Sequence, residues 1–396
     1  MNKIEKMVKE LCPDGIEWKK LGEVTIKNQF KQLGANELEK LRVDGLTGLG
    51  NSIRLLPSSN NDDWWSNENI AKKYICYGEV ITLGRARYAN LKYHKGYFVS
   101  ANNNIIETKE NILTCRFLYH FISHSAKKFY IETSTYPKFD VNIFDNFLIP
   151  IPPLEVQAEI VKILDNFTEL QAELQAELQA RKKQYEYYRD KLLSFDNILK
   201  RGGVVKTLNE VCEFKNGYTP SKSNKEYWDN GSIPWFRMED IRNNGRILNK
   251  SIQCIAPQAV KSSGLFKANS IILATTATIG EHALITVDFL ANQRFTCLTL
   301  KSHEKNHINI KYFYYYMYIL DKWCKNNTNI ASFPSVDTNA LKKVEIPIPP
   351  LKIQEEIVNI LDKFERMCNS LTEGLPSEIA ARKKQYEYYR DKLLSF

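Results

Sequence analysis

Six histidines, eight cysteines and 46 acidic residues give this 396-residue chain material for several chemistries, and spacing decides among them. His303-Glu304-Lys305-Asn306-His307 fits the H-E-x-x-H pattern, in which two histidines one helical turn apart hold zinc and the glutamate acts as base. That arrangement needs an apolar helix facing one metal. Lys301, Ser302, Lys305 and Asn306 make this stretch polar and loop-like, and no third ligand suggests itself. His120 and His124 are also four apart, on an aromatic stretch where core or half-exposed histidines are the plainer reading. Gly45-Leu46-Thr47-Gly48-Leu49-Gly50-Asn51-Ser52 is one residue short of a phosphate-binding loop, with Asn51 where a lysine would reach the phosphates. It reads as a flexible turn near DNA. The cysteines (Cys12, Cys76, Cys115, Cys212, Cys254, Cys297, Cys324, Cys368) are scattered without a C-x-x-C pair, which suits reduced thiols. The chain has no Asn-Pro-Pro-aromatic motif of amino-methyltransferases and no nuclease constellation. No catalytic residue, no metal site and no cofactor of its own is assigned to it.

Reading of nucleic-acid bases is a different matter. It needs Arg or Lys for guanine and Asn or Gln for adenine, while Lys, Arg, Ser and Thr serve phosphates. In the first half, Gly84-Arg85-Ala86-Arg87-Tyr88-Ala89-Asn90-Leu91-Lys92-Tyr93-His94-Lys95 follows a strand-like run and interleaves basic with aromatic residues. Its candidates are Arg85, Arg87, Lys92 and Lys95. In the second half the candidates are Arg237, Thr275, Thr276, Thr278, Asn292, Gln293 and Arg294, and Thr276-Ala277-Thr278-Ile279-Gly280 again follows a strand-like run. Lys+Arg number 55, so the net charge is +9, which favours a polyanionic partner.

The elements that must position these residues come in two copies. Residues 180–195 read ARKKQYEYYRDKLLSF, and residues 381–396 repeat them letter for letter. Upstream, Ile149-Pro150-Ile151-Pro152-Pro153-Leu154 recurs at 346–351, and Trp18-Lys19-Lys20-Leu21-Gly22-Glu23-Val24 is matched more faintly by Val205-Lys206-Thr207-Leu208-Asn209-Glu210-Val211. Between these markers the halves diverge, which gives two variable bodies of mixed strand and helix, each followed by a near-invariant tail. In the first tail Ile160, Ile163, Leu164, Phe167, Leu170, Leu174, Leu178, Tyr185, Tyr188 and Leu192 draw a helical stripe from the Pro152-Pro153 start. Three tandem Glu-Leu-Gln-Ala units fill 169–180, and four-residue steps shift the stripe there. The second tail carries the matching stripe, with a break expected at Gly374-Leu375-Pro376-Ser377 and a restart near Ser377. A helix over 154–195 needs a partner helix, and the other tail is the natural one. The longest apolar run, 312–320, is too short to span a bilayer, and residues 1–10 have no signal-peptide core. A cytoplasmic location is expected.

These features resemble the specificity subunit of type I restriction-modification enzymes. The doubled IPIPPL tails and QYEYYRDKLL (184–193 and 385–394) carry the resemblance. So do Phe214-Lys215-Asn216-Gly217-Tyr218-Thr219-Pro220-Ser221, Tyr227-Trp228, Ile233-Pro234-Trp235 and Cys12-Pro13-Asp14-Gly15. The resemblance implies an α+β chain with two globular target-recognition domains, 1–153 and 196–350. Helical spacers at 154–195 and 351–396 pair as an antiparallel coiled coil with pseudo-two-fold symmetry. It implies that each domain reads half of a split site in double-stranded DNA, and that the helices dock two methyltransferase subunits through Tyr185, Tyr188, Arg189, Tyr386, Tyr389 and Arg390. S-adenosylmethionine, ATP and magnesium would belong to those subunits and to motor-nuclease subunits. Two rivals stand beside it: a coiled-coil adaptor without DNA, and a zinc hydrolase resting on His303 and His307.

Overall fold

A computed structural model describes residues 3–48, 50–61, 63–86, 91–109, 111–329, 334–369 and 373–396. Contacts divide the chain into two units: Met1–Leu174 with Ile379–Phe396, and Gln175–Glu378. Each unit therefore contains one variable body, the start of the tail that follows it, and the end of the other tail.

In the first unit the main sheet runs in the order Thr25–Lys27, Asn103–Thr108, Cys76–Gly84, Lys92–Ala101, Ser52–Leu56, Trp64–Asn67, and Gln32–Leu33 also pairs with Lys92–Ala101. Val80, Ile81 and Leu83 are fully buried, as suits branched side chains on a strand packed on both faces. Helix Cys115–Ser125 starts where the Thr114 hydroxyl accepts from the Phe117 amide. It buries Phe117, Leu118 and Ile122 in a core shared with Phe129, Phe144, Ile160, Leu164 and Leu393. That core joins body, first-tail start and second-tail end.

In the second unit a five-stranded sheet runs Cys212–Asn216, Phe295–Leu300, Ser270–Ala274, His282–Ile285, Ile247–Leu248. A three-stranded sheet orders Cys254–Ile255, Ile233–Phe236 and Leu290–Ala291. The aromatic helix Ile310–Asn326 buries residues 312–317, and the Tyr312 hydroxyl donates to the Pro347 carbonyl at 2.7 Å. Tyr315 donates to Asp362 on the tail at 2.6 Å.

The same frame is built separately in each unit. Glu17–Lys20 pairs antiparallel with Leu148–Ile151, placing Trp18 opposite Pro150. Val204–Thr207 pairs in the same register with Glu345–Ile348, placing Val205 opposite Pro347. These short ladders tolerate proline because the other edge of each proline-bearing strand is unpaired. Just beyond, Gln157 is buried, accepts from the Thr114 amide at 2.9 Å and donates to the carbonyls of Ile112 and Pro152, both at 2.8 Å. Gln354 does the same with the Asn309 amide at 2.7 Å and the carbonyls of His307 and Pro349 at 2.8 Å.

The first tail forms one helix of 39 residues, Leu154–Leu192. The second forms Leu351–Asn369 and then Gly374–Leu394. The restart lies at Gly374, three residues before the Ser377 expected from sequence. Pro376 falls in the first turn, where a missing N–H costs nothing. Gly374 has φ +77°, and a Cβ there would sit 2.8 Å from the Arg366 carbonyl oxygen. The turn thus requires glycine on two counts.

Candidate nucleic-acid interface

In the first body the basic cluster resolves into side chains with different tasks. Arg85 is exposed and donates from Nε to the Asn103 carbonyl at 3.3 Å and from Nη2 to Gln32 at 3.0 Å. Lys95 pairs with Glu79 at 3.0 Å, and that carboxylate raises its pKa. Lys92 is buried. Its ammonium donates to the carbonyls of Pro57, Ser59 and Asn61 at 2.8, 2.9 and 2.7 Å. Three protons meet three acceptors, so Lys92 has none left for a phosphate and instead pins the loop 57–61. Arg87 lies outside the described residues. Sequence reasoning missed Tyr77 and Tyr97, directly opposed across two antiparallel strands, 66% and 57% exposed, with ring centroids 4.9 Å apart. Strand alternation in 76–80 could have flagged them.

In the second body four of the seven candidates converge. Arg237, Asn292, Gln293 and Arg294 line one cleft of about 460 Å³ together with Thr219, Lys222, Trp228, Trp235 and Gln253. The sheet builds it: Ile233–Phe236 brings up Trp235, and its parallel neighbour Leu290–Ala291 ends just before Asn292. Trp228 stands edge-on to Trp235, centroids 5.1 Å apart at 81°, and both indole N–H groups are spent on carbonyls, those of Ser221 and Tyr218, at 3.0 Å. The Arg237 guanidinium lies over Trp235 at 5.7 Å and pairs with Glu239 at 3.0 Å, while its buried Nε has no acceptor. Asn292 Oδ1 accepts from the Arg294 amide at 3.0 Å, and Gln293 is bonded to the Thr219 hydroxyl.

The threonines do not line this cleft, although the Thr275 amide donates to the Arg294 carbonyl at 3.0 Å. Thr275 is buried and shares a hydroxyl contact with Thr296 at 3.2 Å. Thr276 bridges to Ser335. The Thr278 hydroxyl is buried without a partner, beside Ala277, whose φ of +64° is costly for a side-chain-bearing residue.

The six repeated residues assigned to docking face their own units. In the second unit Tyr185 is buried beside Phe364, Tyr188 stacks on the same ring, and Arg189, also buried, lies over Tyr318 at 4.5 Å. In the first, Tyr386 meets His120 at 3.3 Å, Tyr389 stacks on Phe167, and Arg390 reaches His124 at 2.8 Å. Tyr187 and Tyr388 are the repeat's most exposed aromatics, at 60% each, and the stacked Tyr188 and Tyr389 remain 39% and 38% exposed. The glutamate of the H-E-x-x-H stretch is buried against Lys206 at 2.6 Å, in a turn preceding the aromatic helix.

Comparison with known proteins follows this geometry. A family model described as the type I restriction modification DNA specificity domain matches residues 59–181 and 201–381. The EcoprrI type I specificity subunit of Escherichia coli is 56% identical over 196 residues, 48% of this chain and 49% of that one. The chain thus spans about half the length of that relative. A putative type I specificity subunit of Haemophilus influenzae is 32% identical over 96% of both chains. A type I restriction-modification S subunit from M. genitalium superposes with TM-score 0.56 at 14% identity, covering 96% of this chain and 97% of that one. A chain from a type I R-M system studied for complex assembly and conformational transition gives 0.59 at 18%, covering 96% and 98%. The last two likenesses concern the fold alone.

Proposed function

Because this chain belongs to the type I restriction modification DNA specificity family, we propose that it recognises a split, asymmetric site in double-stranded DNA, one half with each variable body. One observation carries the reading. Sixteen identical residues end both tails, and in each unit the equivalent tyrosine stacks on the equivalent phenylalanine of the other tail beside an unlike body, so the chain offers one repeated surface and two different ones. A repeated surface suits two copies of one partner, and unlike surfaces suit two different DNA sequences. The helical tails pair antiparallel, set the spacing between half-sites and dock two modification subunits. Tyr187 and Tyr388 present the outward side of that dock, and Tyr185, Tyr188, Arg189, Tyr386, Tyr389 and Arg390 fix the helices behind it. The assembled enzyme methylates adenine in DNA with S-adenosylmethionine and, with motor-nuclease subunits, cleaves DNA using ATP and magnesium. This chain supplies the address.

The test is an exchange of residues 206–345 for the corresponding body of a relative, followed by methylome sequencing of the host. One half of the methylated motif is expected to change and the other to stay the same. Change in both halves, or in neither, overturns independent reading.

A further inference from the structure

The Trp-walled cleft of the second body carries a sharper assignment, which rests on the proposed DNA-recognition function. We infer that this cleft reads one guanine of its half-site, with Arg237 as the base-reading side chain and Arg294 and Lys222 holding the flanking phosphates.

Charge sets the ligand class. Among the described lining residues, three are cationic, four are uncharged hydrogen-bonding side chains, two are tryptophans and none is acidic. A cleft so lined favours an electron-rich edge with several acceptors. Guanine presents two acceptors side by side in the major groove, O6 and N7, and the guanidinium fork matches them.

Positioning separates the two arginines. A side chain that discriminates among bases must be held, because a free one follows whatever base is offered. Arg237 is held: its guanidinium lies over the Trp235 ring, Glu239 takes one Nη, and Trp235 is itself fixed by its bond to the Tyr218 carbonyl. Its backbone is fixed too, with the amide donating to Asp240 at 2.7 Å. Its Nε is buried without an acceptor among the described residues, so the stem is enclosed, and with the side chain 32% exposed it is the Nη edge that is left to meet a base. Arg294 is exposed, and the bonds that hold it are to its backbone: its amide donates to Asn292 and its carbonyl accepts from the Thr275 amide. Exposure and a mobile stem suit a phosphate, which needs charge but little geometry.

The test uses the full chain co-expressed and purified with its modification subunits. The probes are duplexes carrying the motif that this complex methylates, each base of the second half-site replaced in turn. In the unaltered complex, replacing one guanine is expected to weaken binding roughly 5- to 150-fold. In Arg237→Ala and Arg237→Gln that guanine preference is expected to vanish, while every other position and the whole first half-site keep theirs. Arg294→Ala is expected to weaken all duplexes alike and to reduce the salt dependence by about one counterion. Retention of the guanine preference by Arg237→Gln overturns the assignment. So does loss of binding to every duplex by Arg237→Gln, since the residue would then support the fold rather than one base. A failure of the parent proposal looks different: the unaltered complex would show no sequence preference at any position.

Discussion

The ring of Phe167 lies nearly parallel to that of Tyr389, centroids 5.5 Å apart at 21°. Its counterpart in the other unit is Phe364 on Tyr188, at 5.8 Å and 26°. Each pair joins the start of one tail to the end of the other. Stacked pairs of this kind contribute about 0.5–1.5 kcal/mol beyond their buried area. Phe167→Leu is therefore expected to speed amide exchange across 386–393 while leaving 185–192 unchanged, and Phe364→Leu to do the reverse. Exchange mass spectrometry on the intact chain reads both. Equal acceleration at both sites in either variant would show that the pairs are not independent.

Gln157 and Gln354 make a second prediction. Each side chain satisfies one backbone amide and two carbonyls inside its unit. Methionine fills similar volume but leaves those groups unpaired, at about 1–3 kcal/mol for each one buried. Gln157→Met and Gln354→Met are each expected to lower stability by at least about 2 kcal/mol, seen as a fall in the denaturant midpoint. A change under about 0.5 kcal/mol would mean that water replaces the amide at no cost.

Much of this was legible in the sequence, for identifiable reasons. Identical tails, proline boundaries and the runs 270–274 and 310–324 announce their elements because local pattern and tertiary role agree there. The site was harder. Nothing local distinguishes Lys92, buried under three carbonyls, from Lys95 three residues on at the surface. Trp228, Trp235 and Gln253 join Asn292 only because a parallel strand pair crosses the body, a long-range fact invisible in short windows. The face of the tail was readable in principle. Tyr185 lies on the apolar stripe and is buried, whereas Tyr187 lies off it and is exposed; Tyr188, also on the stripe, stacks on Phe364 yet keeps 39% of its surface exposed.

His120 makes the first unit sensitive to acid. Its ring is buried, sits 2.7 Å from Asp165, and also faces Arg116, Tyr119, Tyr386 and Arg390. Burial lowers its pKa from the usual 6.5, and the bond to Asp165 offsets this only in part. The unfolded chain then takes up a proton before the folded one does. The stability is complete above about pH 6.5 and is lost as pH falls from there toward the folded value. Burial by itself would raise the pKa of Asp165, but bonds from Arg116 and His120 outweigh it, so its own contribution persists to below 3.8. In the second unit Tyr315 makes the corresponding bond to the tail aspartate, Asp362, and burial keeps its hydroxyl protonated far above neutrality. Amide exchange in 386–393 is expected to accelerate as pH falls below 6.5 relative to 185–192, after correction for intrinsic rates. His120→Gln should flatten the difference, and an unchanged difference would assign the acid sensitivity elsewhere.

The tandem Glu-Leu-Gln-Ala units test the role of the helix as a ruler. They occupy 169–180, between Phe167, which packs on Tyr389, and Tyr185, which packs on Phe364. Deleting one unit, residues 173–176, leaves all four rings of these contacts in the chain. It removes four residues of helix, about 6 Å of rise. At roughly 3.4 Å per base pair of duplex, the gap between half-sites is expected to shrink by one or two base pairs while both half-sites keep their sequences. Methylome sequencing of a host expressing the shortened chain with its modification subunits reads spacer and half-sites together. Removing four residues also turns the downstream helix by about 40°, because one turn takes 3.6. A twist of that size corresponds to roughly one base pair of a duplex with 10 to 10.5 base pairs per turn, so rise and rotation call for similar adjustments. A motif with its original spacer would therefore count against length and phase alike, and would move the ruler out of this helix.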